Sequence, residues 1–186
     1  MSPDQTAPMR IAISGKSGCG NSTVSRLVAD HLGLKLVNYT FKNLAAEHGI
    51  GFAELHARAG RDFSIDRTLD RRQLAAAAGG NCVLASRLAI WLLADAELKV
   101  YLSAPPEVRA RRIAQREESR FEVALVATGR RDASDRQRYL DLYRIDIDDA
   151  APADLVVDTS AHNQFEAAAA IVDAARALRA AAGGGI

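Results

Sequence analysis

Short apolar runs alternate with longer amphipathic segments along most of this chain. The runs are 11–13, 34–37, 82–85, 98–102 and 155–157. Apolar runs of this length are typical of strands buried on both faces of a parallel sheet. Between them, the pattern predicts helices over 22–32, from near Tyr39 and Thr40, and over 65–78, 88–93, 105–116 and 165–180. This alternation predicts a three-layer α/β fold with a five-stranded parallel sheet between helices.

Two stretches are longer than a simple crossover connection requires. Residues 40–80 are predicted to form a mostly helical insertion after the second strand, and residues 117–145 a charged helical hairpin after the fourth. Ligands of open parallel sheets bind beyond the carboxyl ends of the strands, where both insertions emerge. We therefore expect two helical flaps that close over a site and exclude water. The chain length predicts a single domain over 10–180, with flexible tails at 1–9 and 181–186.

A glycine-rich segment joins the first predicted strand to the first predicted helix. Gly15, Gly20 and Ser22 match the phosphate-binding pattern G-x-x-x-x-G-K-[ST], whereas Asn21 occupies the lysine position. Backbone N–H groups of such a loop surround a phosphate, and the helix dipole adds about half a positive charge. The predicted phosphate-binding residues are Gly15, Lys16, Ser17, Gly18, Cys19, Gly20, Asn21, Ser22 and Thr23, with the Ser22 hydroxyl as the Mg²⁺ ligand.

Composition excludes several other classes of function. The formal net charge of +1 gives no support for binding to nucleic acid or to a membrane. No apolar run approaches the roughly 20 residues of a membrane span, and residues 1–8 lack the regions of a signal peptide. Cys19 and Cys82 lack the spacing of a zinc site or a disulfide framework, which predicts a cytoplasmic location. All but four of the 24 basic residues are arginine, a side chain that forms bidentate pairs with phosphate.

Several further segments, taken in order, carry a family resemblance. They are Ile65-Asp66-Arg67-Thr68-Leu69-Asp70-Arg71-Arg72-Gln73, Val83-Leu84-Ala85-Ser86-Arg87-Leu88-Ala89, Arg136-Gln137-Arg138-Tyr139, Tyr143-Arg144-Ile145-Asp146 and Asp154-Leu155-Val156-Val157-Asp158-Thr159. With the glycine loop, they span Arg10 to about Ala175, and the chain resembles a nucleoside monophosphate (NMP) kinase, most closely the short type of cytidylate kinase. The resemblance implies a P-loop kinase fold, with 40–80 as the NMP-binding insertion and 117–145 as the lid.

The resemblance also implies an activity and its residues. The family transfers the γ-phosphoryl group of ATP to CMP or dCMP with Mg²⁺, so small nucleotides are the expected partners; the oligomeric state stays open. The implied catalytic cations are Arg87, Arg131, Arg136 and Arg138, and the implied CMP-binding residues are Lys42, Asp66, Asp70, Arg87, Arg138 and Asp146. On an ideal helix, residues 131, 135 and 138 share a face, so Asp135 should lie between two arginines and orient them.

Two positions depart from the pattern of this family. Asn21 replaces the loop lysine, and Ala85-Ser86 stands where an acidic residue commonly precedes the arginine. Lys16 occupies the place of the early lysine in ATPases with the pattern G-K-x-G-x-G-K-[ST], and we hypothesise that it supplies the missing catalytic cation, within one chain or across a subunit interface. Two alternatives stay open: a nucleotide-binding regulator without transfer activity, and a dimeric ATPase of that signature-lysine type.

Overall fold

The computed structural model of the protein describes residues 8–183. Five parallel strands form one sheet in the order β2-β3-β1-β4-β5. The strands are β1 (Arg10–Gly15), β2 (Lys35–Val37), β3 (Cys82–Ala85), β4 (Leu98–Ser103) and β5 (Leu155–Asp158). The helices are α1 (Asn21–Leu32), α2 (Phe41–Glu47), α3 (Phe52–Ala59), α4 (Ser64–Ala77), α5 (Ala89–Leu92), α6 (Pro106–Arg116), α7 (Phe121–Tyr143) and α8 (Gln164–Gly183). All five predicted strands are confirmed.

Helices cover both faces of the sheet, as predicted. Side chains of a strand alternate between its two faces, and β1 shows this directly. Ile11 and Ile13 pack in the core that α1 and α8 cover, whereas Ala12 packs in the core that α4 and α5 cover. All three side chains are fully buried, which is why the apolar run has no polar position. Within the described residues, no helix combines the length and apolar character that crossing a membrane requires.

The insertion over residues 40–80 contains three helices, α2, α3 and α4. Thr40 caps α2 in a reciprocal capping box: its hydroxyl oxygen accepts a hydrogen bond from the Asn43 backbone N–H, and its own backbone N–H donates one to Asn43 Oδ1. Leu44, Leu55 and Leu69, one from each helix, pack in a small core of their own. The sequence pattern identified the helices that became α2 and α4 but did not single out α3.

The lid region differs from the prediction. Residues 117–145 do not form a hairpin, because α7 runs without a break for 23 residues, and the chain reverses before it, near Glu118 (φ 50°). The buried residues of α7 recur at helical spacing through Ala124, Thr128, Asp135 and Tyr139, which keeps one face continuously packed. The hairpin is therefore formed by α6 and α7 together.

The predicted tails lie mostly outside the described residues, 8–183. Two described parts correct the prediction. The side chain of Met9 is buried in the core, and its backbone N–H donates a hydrogen bond to Asn81 Oδ1 at 3.1 Å. At the other end, residues 181–183 continue α8.

Candidate active site

A cavity of about 1220 Å³ opens at the carboxyl ends of the central strands. Its floor is the glycine loop between β1 and α1, and its walls come from the insertion and from α6 and α7. Every predicted loop residue from Gly15 to Thr23 lines it, as do Lys42, Asp70, Arg87, Arg131 and Arg138. The two flaps therefore face one shared space.

Two arginines of α6 hold the glycine loop through its backbone carbonyl groups. Arg109 Nη1 donates a hydrogen bond to the carbonyl oxygen of Ser17 at 3.1 Å, and Arg112 Nη1 donates one to that of Gly18 at 3.2 Å. Arg109 is buried and pairs with Asp132 of α7 at 2.6 Å. With these carbonyl groups engaged on one side, the loop can direct its N–H groups towards the cavity. This arrangement suits an anion.

Asn21 begins α1, and its side chain forms hydrogen bonds with other groups of the protein. Its amide nitrogen lies 3.3 Å from the carbonyl oxygens of both Ile13 and Ser86, and its Oδ1 accepts a hydrogen bond from the buried Ser25 hydroxyl at 3.0 Å. Lys16, also on the loop, forms an ion pair with Asp148. Asp148 is exposed, so the ammonium group is held by a partner at the surface of the protein.

Three arginines that line the cavity form a cluster around one buried carboxylate. Asp135 is fully buried; it pairs with Arg87, lies 2.8 Å from Arg138 Nη2 and lies 3.8 Å from Arg131 Nε. The predicted shared face of residues 131, 135 and 138 is confirmed. Arg138 also pairs with Asp66 at 3.1 Å, and the Arg131 guanidinium lies 4.5 Å from the centre of the Phe52 ring.

The electrostatics of this cluster favour an anion. Burial and the repulsion of Arg87 lower the pKa of Arg131 to about 9, and burial also lowers the pKa of Arg87. Both shifts mean that positive charge is held here against its preference for water. Three guanidinium groups face the carboxylates of Asp135 and Asp66, so the cluster carries an excess of positive charge. A phosphate group would relieve it.

The residues predicted to bind the acceptor nucleoside are only partly brought together. Lys42 and Asp70 line the cavity, and Asp66 lies behind it, buried against Arg138. Asp70 accepts a hydrogen bond from the Tyr143 hydroxyl at 2.7 Å, and burial raises its pKa to about 6. A buried carboxyl group beside an open cavity is suited to accept hydrogen bonds from a ligand.

Arg136 and Asp146 are not among the residues that line the cavity. They pair with each other through two hydrogen bonds, of 2.7 and 2.5 Å, at an exposed position. This pair raises the pKa of Arg136 and lowers that of Asp146 to about 2. Since residue 136 follows residue 135 by 100° on the helix, its side chain leaves the face that holds the cluster.

Sequence reasoning missed Arg109, Arg112 and His56. The two arginines lie three residues apart on α6, next to the buried Ala110 and Ile113, so the apolar stripe of that helix indicated their direction. His56 had no such signal. It lies on α3, and its Nε2 is 2.8 Å from Asp135 Oδ1 of α7, a residue 79 positions further along the chain.

One residue of the site, Ser22, fits the predicted Mg²⁺. Ser22 is exposed on the first turn of α1 and lines the cavity, so its hydroxyl can serve as a ligand. Among residues 8–183, no three His, Cys, Asp or Glu side chains are grouped to hold a metal ion. Magnesium bound here would take its other ligands from phosphate oxygens and water, as Mg²⁺ usually does in nucleotide sites.

Solved structures share this fold. A shikimate kinase from Acinetobacter baumannii in complex with shikimate superposes with a TM-score of 0.61 at 20% identity, over 92% of this chain and 95% of that one. Deoxyadenosine kinase from M. mycoides with bound dATP gives a TM-score of 0.51 at 18% identity, over 89% of this chain and 100% of that one. The predicted P-loop kinase fold is confirmed.

Sequence comparison identifies the family. Cytidylate kinase 2 of Borreliella afzelii is 49% identical over 162 residues, which cover 85% of this chain and 91% of that protein. Cytidylate kinase of Pyrococcus horikoshii is 43% identical over 152 residues, covering 81% and 79%. The sequence model of the Cytidylate kinase-like family matches residues 10–161. The chain therefore belongs to the cytidylate kinase-like family.

Proposed function

We propose that this protein transfers the γ-phosphoryl group of ATP to CMP or dCMP. One observation carries the proposal. Arg87 Nη2 donates a hydrogen bond to the Ser17 hydroxyl of the glycine loop at 2.6 Å, while Nη1 of the same guanidinium group pairs with Asp135 in the arginine cluster. Two anion-binding regions are thus joined by a single side chain. Phosphoryl transfer requires two phosphates in line and in contact, and this spacing supports it.

The donor triphosphate would bind in the glycine loop. The loop N–H groups would surround its phosphates, and Lys16 would exchange Asp148 for phosphate oxygens. Beyond the loop, Arg112, Arg116 and His162 line the cavity, and their planar groups can stack against a purine base. Asn21 contributes no charge, so Lys16 and Arg87 are the cations that we assign to the donor end.

The acceptor would bind between the insertion and α7. Its phosphate would lie against Arg87, Arg131 and Arg138, with Lys42 as a further cation. Asp66 and Asp70, on α4, are the groups that we assign to the nucleoside, since carboxyl oxygens accept hydrogen bonds from the cytosine amine and from ribose hydroxyls. Arg136 and Asp146, which pair with each other, are assigned to the outer end of the lid.

Transfer in such a site needs positioning and charge rather than a protein base. The attacking oxygen belongs to a phosphate that is already ionised at neutral pH, so no side chain has to remove a proton. Arg87 and Arg131 would stabilise the charge on the transferring group, and the two flaps would keep water from attacking it. Mg²⁺, held by Ser22 and the phosphates, would neutralise part of their charge.

We also propose that the protein is located in the cytoplasm. Its two cysteines, Cys19 and Cys82, are free and buried, which fits a reducing compartment.

Steady-state turnover tests the proposal. Purified protein with ATP and Mg²⁺ is assayed for ADP formation with CMP, dCMP, UMP or AMP, and without an acceptor. The expected result is turnover with CMP and dCMP that exceeds hydrolysis without acceptor by at least about 100-fold. Hydrolysis that does not depend on an acceptor would support an ATPase instead. Nucleotide binding without any product would support a regulator, and either result would overturn the proposal.

A further inference from the structure

We infer that His56 is a positioning residue, which acts through Asp135 to hold the arginine cluster ready for the acceptor phosphate. The inference rests on the proposed function and adds to it a residue of α3. His56 was not among the predicted site residues; it lines the cavity, and its hydrogen bond joins the insertion to α7.

The geometry fixes which atom carries the proton. His56 Nε2 lies 2.8 Å from Asp135 Oδ1, and an ionised carboxylate only accepts hydrogen bonds. Nε2 therefore carries the proton and donates to Asp135, since Arg138 Nη1 lies 3.5 Å from the same nitrogen, too far to compete for it. The imidazole ring is held in place by two aromatic neighbours, with ring centroids 6.3 Å away for Phe41 and 5.7 Å away for Phe52. The donor is thus aimed by packing as well as by the hydrogen bond.

Burial and the charges around the imidazole ring keep it neutral. The charged groups that face it are Arg138 and Arg131 of α7, Arg87 after β3, Asp66 of α4 and Asp135 itself. Burial and the three arginines lower the pKa of His56 to about 4. At neutral pH, His56 therefore gives Asp135 a hydrogen bond without adding a fourth positive charge to the cluster.

This neutral donor changes how Asp135 shares its charge. Asp135 Oδ1 accepts hydrogen bonds from both His56 and Arg138, each at 2.8 Å, while Oδ2 faces Arg87 and Arg131. Because imidazole fills part of the hydrogen-bonding capacity of the Asp135 carboxylate, this carboxylate holds the arginines in position but competes less with phosphate for their N–H groups. An incoming acceptor phosphate can then bind these N–H groups. Without the donor, Asp135 would be satisfied by arginine alone and would compete with the acceptor.

The test compares two substitutions of His56 with a matched control. His56→Phe keeps an aromatic ring and removes the donor, whereas His56→Gln keeps an N–H group near the position of Nε2. His48→Phe, at an exposed position on the same insertion, is the control. We expect His56→Phe to lower kcat/KM for CMP about tenfold with KM for ATP unchanged within twofold. His56→Gln should restore most of the loss, and His48→Phe should match the wild type.

Several results would overturn the inference. One is an unchanged kcat/KM for CMP in His56→Phe. Another is a His56→Gln variant that is as impaired as His56→Phe. The third is a His56→Phe variant in which KM for CMP and KM for ATP rise equally and Tm falls. If the wild type shows no turnover with any monophosphate, the proposed function fails; the role of His56 is then decided by calorimetric titration with CMP. About tenfold weaker binding in His56→Phe alone would support it, and equal affinities would contradict it.

A measurement on the unmodified protein keeps the inference testable if His56→Phe does not fold. Nitrogen-15 NMR of the histidine rings reports protonation and tautomer. The expected signal for His56 is a neutral ring with the proton on Nε2 at pH 7. A proton on Nδ1, or a charged ring, would overturn the inference.

Discussion

The side-chain amide of Asn21 donates a hydrogen bond to the carbonyl oxygen of Ser86 at 3.3 Å, which ties the first turn of α1 to the end of β3. The same amide reaches Ile13 at the end of β1. At the position where the usual phosphate-binding loop carries a lysine, this chain thus has a neutral connection between two strands. Positive charge for a triphosphate has to come from side chains elsewhere, and the structure offers Lys16 and Arg87.

Replacing Asn21 with alanine should destabilise the fold. The substitution removes hydrogen bonds to two carbonyl groups and leaves the buried Ser25 hydroxyl without its acceptor, at a cost of about 1–3 kcal/mol. Urea denaturation measures the change in the free energy of unfolding. Thr23→Ala, on the exposed side of the same turn, is the control and should stay within about 0.5 kcal/mol of the wild type. Equal effects of the two substitutions would contradict a structural role for Asn21.

Replacing Lys16 with alanine should impair use of ATP. Its ammonium group lines the cavity and is paired with the exposed Asp148, which a triphosphate of higher charge can displace. Loss of a cation from such a site costs roughly two decades in kcat/KM for ATP. Lys35→Ala, on β2 at the edge of the sheet, is the control. Unchanged turnover in Lys16→Ala would show that this lysine does not replace the missing one.

Replacing Gly18 with alanine should distort the glycine loop. Gly18 has φ of 85°, and an added Cβ would lie 2.7 Å from the carbonyl oxygen of Arg109 in α6, a backbone atom that cannot move aside easily. Gly49 has φ of 64° with no atom within 4 Å, so Gly49→Ala carries the conformational strain without the clash. We expect a cost of about 1 kcal/mol for Gly49→Ala and clearly more for Gly18→Ala, with weaker ATP binding only in the latter. Thermal unfolding and ATP titration check both; similar results would refute the clash.

Replacing Asp70 with asparagine should stabilise the protein at neutral pH. Burial raises the pKa of Asp70 from 3.8 to about 6, which corresponds to about 3 kcal/mol. Between these values the native state binds more protons than the unfolded state, so this group lowers stability as pH rises. Asp70→Asn should therefore be the more stable protein at pH 7 and lose its advantage below about pH 4. Denaturation at both pH values measures this, and an equal difference at each would contradict it.

The same substitution separates stability from binding. If Asp70 accepts hydrogen bonds from the acceptor nucleoside, Asp70→Asn should raise KM for CMP while it raises Tm. A buried group that costs stability but improves binding is the usual sign of a functional site. A higher Tm with unchanged KM would assign Asp70 to the fold alone.

Much of the fold could be predicted from local patterns. The apolar runs at β1 and β3 became inner strands because both faces of each are buried, and such burial favours apolar side chains. The runs at β2 and β5 became the edge strands, which keep exposed residues. The spacing of Arg131, Asp135 and Arg138 placed them together because a helix fixes which residues share a face. Expectations failed where distant packing decides. An isolated sequence does not show that Met9 is buried or that one packed face carries α7 through 23 residues.

The amino-acid sequence by itself determined the α/β class, the glycine loop and the family, because each depends on residues close together in the chain. Tertiary structure alone decided which charges from different elements meet. It placed His56 of α3 against Asp135 of α7, buried Arg109 behind the loop, and paired Arg136 with Asp146 outside the cavity. Residues 79 positions apart meet only because the flaps fold over the same edge of the sheet, and charge interactions act through that space rather than along the chain.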